Sequence, residues 1–130
     1  MDKFIIHGGV PLHGSIPVNG AKNAVLPMMA AALLTDDAVV IHNVPRLRDI
    51  EAMVEILEDI GCRVNWNGTT MTLQVHDESN TTARYELVSK MRASFCVLGP
   101  MLGRRHKAKV SLPGGCSIGV RPVELHIKGF

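Results

Sequence analysis

Aromatic residues are scarce: one Trp, one Tyr and three Phe make up 4% of 130 residues. A core built from this chain must be mostly Val, Ile, Leu, Met and Ala. No aromatic side chain interleaves the one basic run, GRRHKAK (residues 103–109), so it has no base-stacking platform and reads as a solvated loop. Charge of one sign is also lacking. Fourteen Lys and Arg against twelve Asp and Glu leave a net charge of +2, too small to argue for a polyanionic partner such as nucleic acid. There is no apolar run of about eighteen residues, which excludes a helical membrane span; the longest candidate, residues 24–34, stops at Thr35-Asp36-Asp37. The N-terminus, MDKFIIHGGV, carries charges at Asp2 and Lys3 and no long apolar stretch, unlike a signal peptide. Cysteine is limited to Cys62, Cys96 and Cys116. An odd count at wide spacing does not suit a disulfide framework, and no spacing of Cys or His completes a zinc site. A reducing, cytosolic setting follows.

Hydrophobic residues make up 46% of the chain, enough for a packed core. Residues 4–7 and 12–18 read as short strands closed by Gly8-Gly9 and Asn19-Gly20. Residues 24–34 predict a helix starting near positions 22 to 24, with Pro27 in its first turn. It is apolar almost all round, so it should be enclosed by neighbours. Residues 38–42 predict a strand. Residues 49–60 predict an amphipathic helix, with Ile50, Met53, Val54, Leu57 and Ile60 on one face and Gly61 as its stop. Residues 63–66 and 70–76 predict a hairpin about Asn67-Gly68, with Trp66 packed at its edge. A second apolar helix is expected from position 85 or 89 to 102, then a strand at 110–112, a glycine-rich turn at 113–119, and a helix opened by Arg121-Pro122.

Offset by about 70 residues, the chain overlays loosely on itself. Lys22 falls on Arg92, the apolar helix on residues 94–102, and the strand around Val40 on Val110. Each copy reads as a β-α-β-α-β-β unit, and the second stops inside its pattern at Phe130. One and a half copies leave a face of the apolar helix without a partner. The expectation is a part of a longer protein; the alternative is a complete small domain with a short last helix.

Three segments carry chemistry. In PGGCSIGVRP (residues 113–122), Cys116 stands in a glycine-rich loop that permits close approach of a ligand to backbone N–H groups. Arg121, at a predicted helix start, would favour anions and lower the thiol pKa, giving a nucleophile or general acid. The plainer alternative is a turn with an inert thiol. In Gly20-Ala21-Lys22-Asn23-Ala24, Lys22 can pair with a phosphate or carboxylate and Asn23 can give and take hydrogen bonds. The alternative there is an N-capping Asn with a solvated lysine. In Met91-Arg92-Ala93-Ser94, Arg92 interrupts an apolar helix and should face an anion or form an interhelical ion pair. Lys22, Arg92 and Arg121 together would make a three-cation pocket, and His126 could reach it. Cys62 and Cys96 read as packing residues.

These motifs resemble UDP-N-acetylglucosamine enolpyruvyl transferase, over the whole chain. The resemblance is carried by GAKNAVLP (residues 20–27), MRAS (91–94) and SLPGGCSIGVRPVELH (111–126). It implies transfer of the enolpyruvyl group of phosphoenolpyruvate to the 3′-hydroxyl of UDP-N-acetylglucosamine, without metal or cofactor, in peptidoglycan synthesis. It implies an α/β (α+β) fold, an inside-out α/β barrel of β-α-β-α-β-β repeats. Of the six repeats, nearly two would be present. Residues 1–21 would be strands belonging to the other lobe and residues 22–130 an incomplete catalytic lobe. On this resemblance Cys116 is the proton donor; Lys22, Asn23 and Arg121 bind phosphoenolpyruvate; and Asn23, Arg92, Arg121, Pro122, Val123, Glu124, Leu125 and His126 bind the sugar nucleotide. The remaining partner would be the C-terminal remainder, which holds the catalytic carboxylate and a further arginine. The chain departs from the pattern at Cys96, where a tryptophan is expected. Rival readings are a sugar-nucleotide-binding remnant without catalysis and the related transferase acting on shikimate 3-phosphate, which is expected to lack the cysteine loop.

Overall fold

A computed structural model describes residues 3–112 and 122–130. Helix α1 (Lys22–Ala31) runs into a 3-10 segment (Ala32–Leu34) and is followed by strand β1 (Val39–Ile41), helix α2 (Arg48–Asp59) and the hairpin β2 (Cys62–Asn67) and β3 (Thr70–Val75). Then come β4 (Thr82–Ala83), α3 (Tyr85–Val88), a second 3-10 segment (Arg92–Val97), α4 (Leu98–Arg105), β5 (Lys109–Val110) and α5 (Glu124–Gly129). β1, β3 and β2 form an antiparallel sheet in that order, with Val39 opposite Leu73 and Val64 opposite Leu73 from the other side. β4 and β5 pair in parallel, as a β-α-β crossover requires.

The predicted α2 is present, one residue earlier; Ile50, Met53, Leu57 and Ile60 of its stripe are buried as the spacing implies, whereas Val54 is half-buried and Ile56, outside the expected stripe, is buried. Gly61 ends it at φ +90°, and a Cβ there would lie 2.0 Å from the Asp77 carbonyl oxygen. That close approach lets the Gly61 carbonyl accept from the His76 and Asp77 N–H groups at 3.0 and 3.2 Å. In the hairpin turn only Gly68 takes positive φ. Trp66 is half-buried beside the core, and the Arg46 guanidinium lies 4.6 Å from its ring centroid.

Five expectations are corrected. Residues 4–7 and 12–18 form no strand; Phe4, Leu12, Ile16 and Val18 stand exposed with no sheet edge beside them among the described residues. A strand needs a hydrogen-bonded partner, which local pattern does not supply. Pro27 lies in the second turn of α1, because the helix already starts at Lys22. The helix expected from 85 or 89 to 102 is three pieces, broken at Met91, whose backbone is extended (φ −153°, ψ 135°). Pro122 precedes α5, which starts at Glu124. The run at 103–109 is no solvated loop. Arg104 closes on Glu78 at 2.8 Å and on Asp36, and Arg105 donates to the Asn80 carbonyl at 2.5 Å. The polar stretch before it also contributes β4, which periodicity did not reveal because it is two residues long.

α1 buries Val25, Leu26, Met29 and Ala30 in the single core cluster, while Met28 is 53% exposed. The all-round apolar helix therefore has one covered face and one open face.

Candidate functional site

Gly20 sets the site's geometry. A Cβ on it would sit 2.0 Å from the Asn43 carbonyl oxygen, so only glycine lets the entry to α1 lie against the loop that leads to α2. The starts of α1 and α2 are thereby brought together. Lys22 is the first residue of α1 and Asp49 the second of α2, and Lys22 Nζ donates to Asp49 Oδ2 at 2.5 Å. The capping residue of α1 is Ala21, with no side-chain cap, so Asn23 is not an N-cap and Lys22 is not merely solvated. The pair is about two-fifths exposed on each side, which limits its worth to about 1 kcal/mol or less.

The break at Met91 delivers Arg92. Buried Ser94 lies with its Oγ 2.5 Å from the Met91 carbonyl oxygen and 2.9 Å from that of Val88, so its one proton supplements the long backbone bonds these carbonyls accept from the Ser94 and Met91 N–H groups at 3.3 and 3.4 Å. Arg92 becomes the first residue of a new helical segment and its Nη2 donates to the Pro122 carbonyl at 3.4 Å. Lys22 and Arg92 thus hold matching places in the two repeats, each following an extended residue, Ala21 or Met91. The offset is 92 − 22 = 70 residues, the same as from Val39 of β1 to Lys109 of β5.

Both cations line one cavity of about 580 Å³ with Asn23, Val123 and His126. Of the residues singled out from sequence, these five converge. Pro122 touches the site through its carbonyl, whereas Glu124 and Leu125 are exposed on α5 and do not line the cavity. Cys116 and Arg121 lie outside the described residues. His126 meets the Phe95 ring edge-to-face at 6.2 Å between centroids. Cys96 also faces the cavity; burial pushes its thiol pKa up, partly offset by the Arg92 charge. Cys96 is exposed, so it is not the packing residue expected from sequence, whereas Cys62 is buried in the core. Sequence reading missed Asp49 and Lys90 as lining residues. Lys90 pairs with Glu55 at 2.6 Å. Both partnerships span dozens of residues, and no local spacing signals them.

Cations at two repeat-related helix starts line one cavity in an α/β unit. Its class is set by comparison: the family profile described as EPSP synthase (3-phosphoshikimate 1-carboxyvinyltransferase) matches residues 6–130, and the chain belongs to that family. Within it, the chain is 56% identical over 130 residues to the UDP-N-acetylglucosamine 1-carboxyvinyltransferase of Solibacter usitatus, covering 100% of this chain and 31% of that protein. It is 53% identical over 132 residues to the protein of that name from Dinoroseobacter shibae, again covering 100% of this chain and 31% of the relative. The crystal structure of the enolpyruvyl transferase NikO from Streptomyces tendae superposes with a TM-score of 0.66 at 26% identity, over 76% of this chain and 23% of that one. The fold is that of the enolpyruvyl transferases, with no closed barrel among the described residues. The chain spans about a third of the length of the curated relatives it matches.

Proposed function

We propose that this chain forms part of an enzyme that moves the enolpyruvyl group of phosphoenolpyruvate onto the 3′-hydroxyl of UDP-N-acetylglucosamine, in cytoplasmic peptidoglycan synthesis and so in cell-shape maintenance and division. The observation that carries this reading is the convergence of Lys22, Asn23, Arg92, Val123 and His126, from three distant segments, on one cavity. The names of relatives at 53–56% identity favour the sugar nucleotide over shikimate 3-phosphate.

In this scheme Lys22 and Asn23, with Arg121, hold the phosphate and carboxylate of phosphoenolpyruvate. Arg92 and residues 121–126 hold the sugar nucleotide. Cys116 gives its proton to the methylene carbon while the sugar hydroxyl oxygen bonds to the adjacent carbon and loses its own proton to a base. The carbon–oxygen bond to phosphate then breaks, the new methyl returns a proton, and the enol ether is left on the sugar. Fixed cations offset the charge that builds up in both steps. Residues 22–130 act as an incomplete lobe, and residues 1–21, which pair with no strand among the described residues, become strands only against a second lobe. The exposure of Phe4 (98%) and Leu12 (95%) supports that division.

Calorimetric titration tests the substrate. UDP-N-acetylglucosamine is expected to bind saturably and shikimate 3-phosphate not to; the reverse order would overturn the reading. A fosfomycin adduct is expected at Cys116 and not at Cys62, which is buried and whose thiol pKa burial raises. Equal labelling of Cys116 and Cys62 would contradict it. The chain alone is expected not to release phosphate from the two substrates, and measurable release would contradict the two-lobe scheme.

A further inference from the structure

Lys22 holds an awkward place. As the first residue of α1 it stands where unpaired N–H groups carry partial positive charge, which disfavours an ammonium. α1 has no acidic residue in its own first turn to offset this. The compensating carboxylate comes from Asp49, in the first turn of α2, where the dipole of that helix favours it. Both side chains line the cavity. An ammonium has three N–H donors; Asp49 takes one and leaves two for an incoming oxyanion. Lys90, the other lysine on the cavity wall, is engaged by Glu55 and has no part in this contact. A pair so exposed adds little to folding, so its consequence is where Nζ stands.

We infer that Asp49 is a positioning residue, which holds the Lys22 ammonium in the cavity wall against the repulsion of its own helix end and thereby sets how tightly a phosphate or carboxylate group is bound there. The inference rests on the reading of the cavity as the phosphoenolpyruvate site.

The test uses the 130-residue chain. Acetic anhydride labelling of Lys22, read by mass spectrometry in the absence of ligand, measures the hold directly. Asp49→Asn should raise Lys22 labelling by about threefold, Asp49→Glu should restore it, and Lys90 should keep its rate in both. Unchanged Lys22 labelling in Asp49→Asn, or an equal rise at Lys90, would overturn the inference, the second because it signals general loosening. With phosphoenolpyruvate present, Lys22 of the unmodified sequence should be protected, and Asp49→Asn should need about threefold more ligand for the same protection. Failure of phosphoenolpyruvate to protect Lys22 in the unmodified sequence would sink the site reading instead, while the ligand-free labelling still decides what Asp49 does.

Discussion

In the first repeat, α1 starts as an α-helix at Lys22, tightens into the 3-10 segment Ala32–Leu34 and buries Val25, Leu26, Met29 and Leu33; in the second, the matching segment starts as a 3-10 segment at Arg92, becomes α4 at Leu98 and buries Ser94, Val97 and Met101. The first repeat ends in a closed hairpin, β2 and β3, over which Met71, Leu73 and Val75 are buried. The second has the short parallel pair β4 and β5, and its last helix, α5, buries no residue of its own. The positions that match the hairpin fall beyond residue 130, so the two halves differ first in how much of each repeat is present. Within the matched helices the difference is local: the Ser94 hydroxyl reaches the Val88 and Met91 carbonyls, where the first repeat has Ala24 at the matching place. Both helix starts bring a cation to the cavity, Lys22 in the first repeat and Arg92 in the second.

Substitutions can sharpen that contrast. Leu33→Ala, in the fully buried first half, should cost about 2–5 kcal/mol by denaturant unfolding. Ile127→Ala in α5, half-exposed, should stay within about 0.5 kcal/mol. Equal losses would erase the distinction between the halves. Ser94→Ala should cost about 0.5–1.5 kcal/mol, since the Val88 and Met91 carbonyls lose a hydroxyl donor and keep only their long backbone bonds. It should also weaken sugar-nucleotide binding through Arg92; a variant with full stability would show that the break needs no hydroxyl. Lys90→Met removes the exposed pair with Glu55 and should change stability by less than about 1 kcal/mol.

The smallest effect is a pH dependence. The Ser79 backbone N–H, 2.8 Å from Asp77 Oδ1, is the main cause that holds the Asp77 carboxyl below its ordinary pKa, helped by the Ser79 side chain. A depressed folded pKa means a contribution that is present above the ordinary carboxylate range and fades as pH falls through the folded value. Asp77→Asn should flatten this shallow acid slope in thermal melts, and an unchanged slope would assign it to other carboxylates.

Legibility of the sequence followed the range of the forces involved. α2 and the β2–β3 hairpin were readable because a period near four, a stop at Gly61 and the Asn67-Gly68 turn are each encoded within a few residues. The N-terminal strands failed for the opposite reason: alternation in residues 12–18 describes a face, but pairing depends on a partner that no described residue supplies. The position 70 residues before β4, residues 12–13, falls within that segment and stays unpaired. The break at Met91 was hidden because helix propensity outweighs one serine in any local sum, although Ser94 and Arg92 sat in the motif itself. Of the site, Lys22, Asn23, Arg92 and His126 were readable as residue types, while Asp49 was not, since its pairing depends on two helix starts meeting across the Gly20–Asn43 contact.

The central claim is that the cavity between the two repeats binds the anionic ligand. It is most directly tested by recording amide and side-chain NMR shifts of the chain during a UDP-N-acetylglucosamine titration. The account predicts saturable shifts clustered at Lys22, Asn23, Arg92, Val123 and His126, with residues 103–109 unmoved. Shifts confined to residues 103–109, or no saturable shift at the cavity, would contradict it.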